Sequence, residues 1–197
     1  MDIPALTLNE ILGLIAVLLG LIGYAFYVRG IVQGKVKPHA FTWFVWGTLT
    51  AIAFFAQVAG GGGAGAWVTG VTAAASFAFA VVGLTASSRA YIRKSDWLFF
   101  ISSVAAIPVW FFTGNPLWSV IIITVIDAAA FVPTFRKAYA NPETENGYTY
   151  TLSGIKFIVG IIALESLTLT TALYPASLVL ANLVFVLMLL WRRQVRS

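Results

Sequence analysis

The sequence predicts an all-α membrane protein with seven transmembrane helices, and three observations carry that prediction. Of its 197 residues, 60% are hydrophobic and only 10% charged, whereas a soluble domain needs about 25% charged residues to cover its surface. The apolar residues fall into seven runs, most of them near the ~20 residues that cross a ~30 Å hydrocarbon layer as a helix. The basic residues gather in short clusters after alternate runs, the pattern of topology signals. Strand-type alternation is absent, and lipid offers no water to satisfy an open backbone, so helices are the spanning form.

Taken in order, the first run is Leu8–Val32. The segment before it, MDIPALTLNE, is acidic and lacks the positive region and small-residue cleavage site of a signal peptide, so this run is read as a retained span. The stub Gly34–His39 is a basic turn, and Pro38 suits the start of the next helix. The second run, Ala40–Ala59, opens with Trp43 and Trp46 near the membrane interface, where indole rings sit comfortably. The run GGGGAGA, Gly60–Ala66, lacks the lysine and the Ser or Thr of a phosphate loop and reads as a flexible turn. The third run, Ala66–Ser87, carries Gly70, Ala74 and Ala78 as a small-residue ridge for close helix contact. The fourth, Trp97–Thr113, is the shortest, with Pro108 a candidate kink. The fifth to seventh runs are Leu117–Phe135, Tyr148–Thr170 and Tyr174–Trp191.

Eleven of the twelve basic residues fall on one side of this scheme. They follow the first, third, fifth and seventh runs, while the intervening connections hold none. The positive-inside rule makes that side cytoplasmic, with the N-terminus outside and the C-terminus inside. This is the expectation for a multi-pass protein, for instance of a bacterial inner membrane. The net charge of +5 is thereby accounted for without nucleic acid, for which no basic-aromatic motif is present. With no cysteine, disulfides and thiolate metal sites are excluded.

The chain also echoes itself. Laying Arg29 on Arg136, an offset of 107 (136 − 29), brings Phe41 onto Tyr148, Thr42 onto Thr149, Trp43 onto Tyr150 and Gly47 onto Gly154. Spans one to three then land on spans five to seven. An odd triple cannot repeat in the same orientation without one extra crossing, which the fourth span supplies. The expected architecture is two parallel three-helix repeats, 1–88 and 115–197, joined by a linker helix within 89–114.

In this layout the sequence resembles the PQ-loop superfamily, which includes the SWEET and SemiSWEET sugar transporters. The Pro-Gln dipeptide of that family is matched by Pro133-Thr134 in the second repeat and replaced by Phe26-Tyr27 in the first. The resemblance implies transport by two rocking bundles, with Pro133 and Tyr27 at gate or hinge positions. It also implies that Asn182, near the middle of the seventh helix, contacts substrate. Other branches of the superfamily carry amino acids or nicotinamide riboside, and the KDEL-receptor branch binds peptides without transporting them.

Few polar groups lie inside the apolar runs. Asp127 and Lys156 both lie roughly 12 Å from the cytoplasmic ends of their helices by helix rise. A lone central charge costs about 2.5–3.5 kcal/mol to insert, so the shared depth leaves open a structural ion pair, a lysine snorkelling to the headgroups beside a protonated aspartate, and a substrate or proton-coupling role. Asn182 can bind substrate or glue helices together. Trp46 and Thr50 share a stripe with Trp43, and Ser153 stands similarly in the other repeat with Tyr150. Facing inward, these residues form a pocket wall; facing outward, Trp43 above all is interfacial belt. Ser76 shares a face with Thr72, although both hydroxyls can bond to their own helix. Gln57 and Glu165 lie near the outer ends, within reach of water.

One histidine, no cysteine and seven dispersed carboxylates offer neither a metal cluster nor a nucleophile-base pair, so no enzyme and no cofactor or metal is expected. The expected function is a transporter of a small polar solute, sugar-like or amino-acid-like, by facilitated or proton-linked passage. The alternatives are a non-transporting receptor of the same fold and a vitamin-precursor transporter. A monomer in the lipid bilayer holds both repeats, so no oligomer is required.

Overall fold

The structure, a computed structural model, describes residues 5–34, 38, 40–85, 94–144 and 147–196. Among them every regular element is helical: α1 (Leu8–Val32), α2 (Ala40–Ala59), α3 (Trp67–Thr85), α4 (Lys94–Thr113), α5 (Pro116–Ala140), α6 (Gly147–Ile162) and α7 (Leu169–Arg196). Short 3-10 turns occupy Gly63–Ala66 and Pro142–Thr144. Five helical stretches are long and apolar enough to cross a membrane: α1, α2, α5, α7 and Gly63–Leu84, which contains α3. This is consistent with a multi-pass membrane protein. By contrast, α6 has only 16 residues, about 24 Å of helix, and the apolar part of α4 is limited to Phe100–Thr113. The basic-loop residues Lys35, Lys37, His39, Arg89 and Arg93 lie outside the described residues.

Lipid inverts the usual sidedness of a helix, and α1 shows it. Its buried residues are the small Gly13, Ala16 and Gly20, while Leu8, Ile11, Ile15, Leu18 and Ile22 form an exposed stripe at helical spacing. In water that stripe would be an aggregation surface; in a bilayer it faces chains as apolar as itself. The helix begins at Thr7, whose hydroxyl accepts from the Glu10 N–H while the Glu10 carboxylate accepts from the Thr7 N–H.

α3 packs on α1 and α2, and α7 packs on α5 and α6. Between these groups α1 lies on α6 and α2 on α5, while α4 covers α5 and α2. The α2–α3 contact is close because each helix seats a ring of the other on a glycine. A Cβ on Gly47 would stand 2.8 Å from the Phe77 ring, and one on Gly70 would stand 2.8 Å from Phe54.

Several boundaries differ from the sequence reading. α4 begins at Lys94, and α5 continues to Ala140. The largest change is at the sixth and seventh helices, for α6 stops at Ile162 and α7 starts at Leu169. Two threonines make that start. The Thr171 N–H donates to Thr168 Oγ1 (3.3 Å) and the Thr168 N–H to Thr171 Oγ1 (2.9 Å), satisfying donors that a new helix leaves open. Pro175 therefore lies inside α7. Proline has no N–H to give the carbonyl four residues back, and Gln57 Nε2 of α2 donates to that Thr171 carbonyl instead (2.9 Å). Gln57, read from sequence as accessible to water, is 1% exposed.

The glycine run, read as a flexible turn, is packed against the α6–α7 connection. The Glu165 N–H donates to Gly62 O (3.2 Å), and the exposed Glu165 carboxylate accepts from the Ala64 N–H (3.3 Å). A Cβ on Gly65 would lie 2.6 Å from both Gly160 O and Leu164 N. Only glycine allows backbones this close. Asn9 Nδ2 donates to Ala163 O (3.3 Å), so the start of α1 joins the same closed end.

Candidate functional site

Six helices, all but α4, enclose a cavity of about 510 Å³. Trp46 and Thr50 of α2, Ser76 of α3, Asp127 of α5, Ser153 and Lys156 of α6, and Asn182 of α7 all line it, as does Tyr27 of α1. Pro133 falls within α5, but its side chain is outside the described residues.

Lys156 is 5% exposed. Its Nζ donates to Tyr24 Oη (2.9 Å) and Thr72 Oγ1 (3.1 Å). Thr72 can accept because its own proton goes to Val68 O (2.7 Å). The ammonium also stands 4.8 Å from the ring centres of both Tyr24 and Phe157, within cation–π range. Gly20 lies beside the lysine stem, where a Cβ would stand in ordinary van der Waals contact with Lys156 Cδ, at 3.5 Å.

Asp127 is buried at 8% exposure, and among the described residues it has neither a hydrogen bond nor an ion pair. The ion pair that its shared depth with Lys156 invites is not formed, and their charged atoms stand more than 4.0 Å apart. Packing is the reason: α6 lies on α1 and α3, which supply the lysine's partners, whereas α5 lies on α2 and α7.

The neutral polar groups divide into engaged and available. Thr50 Oγ1 donates to Trp46 O (2.7 Å) and Ser76 Oγ to Thr72 O (2.8 Å), the intrahelical bonds common where water is scarce. Asn182 Nδ2 donates to Leu178 O (2.7 Å). Its Oδ1, the Ser153 hydroxyl and the Trp46 indole N–H have no hydrogen-bond partner among the described residues.

Trp43, which the sequence places in an interfacial belt, turns inward. Its indole N–H donates to Tyr27 Oη (2.8 Å), and its ring meets those of Tyr27, Trp46 and Phe79 edge-on. Sequence reasoning missed Tyr24, Phe131, Phe157 and Tyr174, all of which line the cavity. Rings do not stand out in so apolar a chain.

The lining repeats. At the offset of 107, Gly20 pairs with Asp127, Tyr24 with Phe131, Thr42 with Thr149, Trp43 with Tyr150, Trp46 with Ser153, and Thr50 with Phe157, every one a lining residue. At an offset of 106, Thr72 and Leu178 both line the cavity, as do Ser76 and Asn182; the connection before α7 is one residue shorter than the one before α3.

The cavity has unlike ends. Its lining continues to Thr42 and Thr149 in the first turns of α2 and α6, where Thr149 is exposed. Away from those turns, the lining residue Phe157 packs in a buried cluster with Ala16 and Val68. Among the described residues no three metal-ligating side chains cluster. Compared with known protein families, with curated proteins and with solved structures, the chain matches none.

Proposed function

We propose that the chain is a membrane transporter that moves a small polar solute by alternating access between two three-helix bundles, α1–α3 and α5–α7, with α4 as their linker. The observation that carries this reading is the repeated lining. A cavity whose walls come from equivalent residues of two halves is what a pathway at a repeat interface requires. The neighbour pattern supports it. Exchanging the halves turns the α1–α6 contact into α5–α2 and the α2–α7 contact into α6–α3, and all four are present. α4 has no counterpart under this exchange, and none of its described side chains lines the cavity. The resemblance to the PQ-loop superfamily points the same way.

The positive-inside expectation puts the open end, at Thr42 and Thr149, on the cytoplasmic side. The conformation is then inward-open, with the outer side sealed by the glycine turn against the α6–α7 connection. Two bundles that rock about this seal expose the site to one side at a time.

The test is flux. Purified protein in liposomes is expected to carry a solute found among sugars, amino acids and nucleosides. Because the chain has no cysteine, Thr149→Cys and Gly61→Cys give unique labels for impermeant thiol reagents. Thr149→Cys is expected to react from the inside and to be protected by the solute. Binding without flux across that panel would discard transport in favour of a receptor.

A further inference from the structure

Resting on that reading, we propose that the solute is a small zwitterion, whose ammonium pairs with Asp127 and whose carboxylate pairs with Lys156. These two are the only charged side chains among the described lining residues, and they carry opposite signs. They share one cavity and yet do not meet. Lys156 is held at a fixed place by Tyr24 and Thr72. An ammonium has three donors, so one N–H remains for a ligand. Asp127 has no partner in the protein among the described residues, although a buried carboxylate is costly to leave uncompensated. The ammonium of a bound solute would supply that missing partner.

Charge balance selects between ligand classes. With both ionised, Asp127 and Lys156 together contribute no net charge to the site. A monovalent cation or anion bound between them would leave one charge unbalanced where screening is weaker than in bulk water. A zwitterion brings both signs and leaves none. A neutral sugar brings hydroxyls but leaves the carboxylate without a countercharge. The remaining walls suit an apolar or aromatic body on the zwitterion, for Trp46, Phe131, Tyr174 and Leu178 face the same space. The unpartnered Oδ1 of Asn182 offers one further acceptor to the ammonium.

The test uses the full-length protein in detergent, with binding read by tryptophan fluorescence and thermal shift. The probes are glycine, β-alanine, 5-aminovalerate, L-leucine and L-phenylalanine, set against 2-phenylethylamine, 3-phenylpropionate and glucose. At least one zwitterion is expected to bind tenfold or more tightly than either single-charge analogue and than glucose. Asp127→Asn is expected to weaken that zwitterion at least tenfold while sparing 3-phenylpropionate, and Asp127→Glu to keep the preference, which separates lost charge from lost fold. Lys156→Met is expected to spare 2-phenylethylamine and weaken the zwitterion. No zwitterion binding, equal binding of a single-charge analogue, or an unchanged Kd in Asp127→Asn overturns the proposal. Flux of glucose without zwitterion binding removes the substrate assignment and leaves transport standing. Zwitterion binding at Asp127 without flux does the reverse.

Discussion

Lys156 Nζ lies 2.9 Å from Tyr24 Oη, a hydrogen bond from α6 to α1 across the wall of the central cavity. With Thr72 of α3 as the second partner, one side chain of the second helix group holds two helices of the first. Hydrogen bonds to charged groups contribute about 1.5–3 kcal/mol. Tyr24→Phe is therefore expected to lower stability by roughly that amount, read as thermal or denaturant unfolding in detergent. In a double-mutant cycle with Lys156→Met the two losses are expected to be strongly non-additive. Simple additivity would mean that the bond adds nothing to the joint between the groups.

Asp127 presents the opposite case, a charge with no partner to lose. Asparagine has nearly the same shape and removes the charge, so Asp127→Asn is expected to stabilise the empty protein by about 1–3 kcal/mol. Solute uptake into liposomes is expected to fall at least tenfold in the same variant. Stability and transport moving in opposite directions marks a site residue. If both fall together, Asp127 serves the packing of α5.

Gln57 and Pro175 form a compensating pair on α2 and α7. Gln57→Leu leaves the Thr171 carbonyl without a donor inside the protein and is expected to cost about 1–3 kcal/mol. Pro175→Ala restores a backbone N–H to α7 and with it the helix's own bond to that carbonyl. The cost of Gln57→Leu is then expected to shrink by more than half in the Pro175→Ala background. An equal cost in both backgrounds would show that the amide acts through packing alone.

The different fates of these residues show what one chain of letters can disclose. The helical runs were legible because bilayer thickness sets a length that composition reveals directly. Trp46 and Thr50 were legible as a stripe because helical spacing is local. Trp43 was not, since its inward turn depends on Tyr27, a partner on another helix. Tyr24 and Phe131 were hidden by their chemistry, although the repeat offset that aligns them was already visible and could have flagged them as an equivalent pair. The α6 boundary was misplaced because Ala163–Thr168 contains neither the glycine nor the proline that would mark a stop. What ends the helix there is a backbone contact from Glu165 to Gly62, which no local pattern encodes.

Gly65 gives the sharpest handle on the closed end. A methyl group there would meet Gly160 O and Leu164 N at 2.6 Å, and both are backbone atoms with no rotamer to yield. Gly65→Ala must push the α2–α3 turn away from α6, at a cost typical of overpacking, about 1–3 kcal/mol. On the proposed alternating-access reading, that cost falls only on the conformation in which the turns touch. In an equilibrium between two access states, about 1.4 kcal/mol is a tenfold change in population, so the variant is expected to favour the state with the outer end open. The measurement is the rate at which an impermeant thiol reagent, added outside, labels a cysteine placed in the cavity by Leu178→Cys. The expected result is a rise of roughly tenfold when Gly65→Ala is added. A lower melting temperature with an unchanged labelling rate would make the glycine turn a fixed strut, and the outer gate would then have to lie elsewhere.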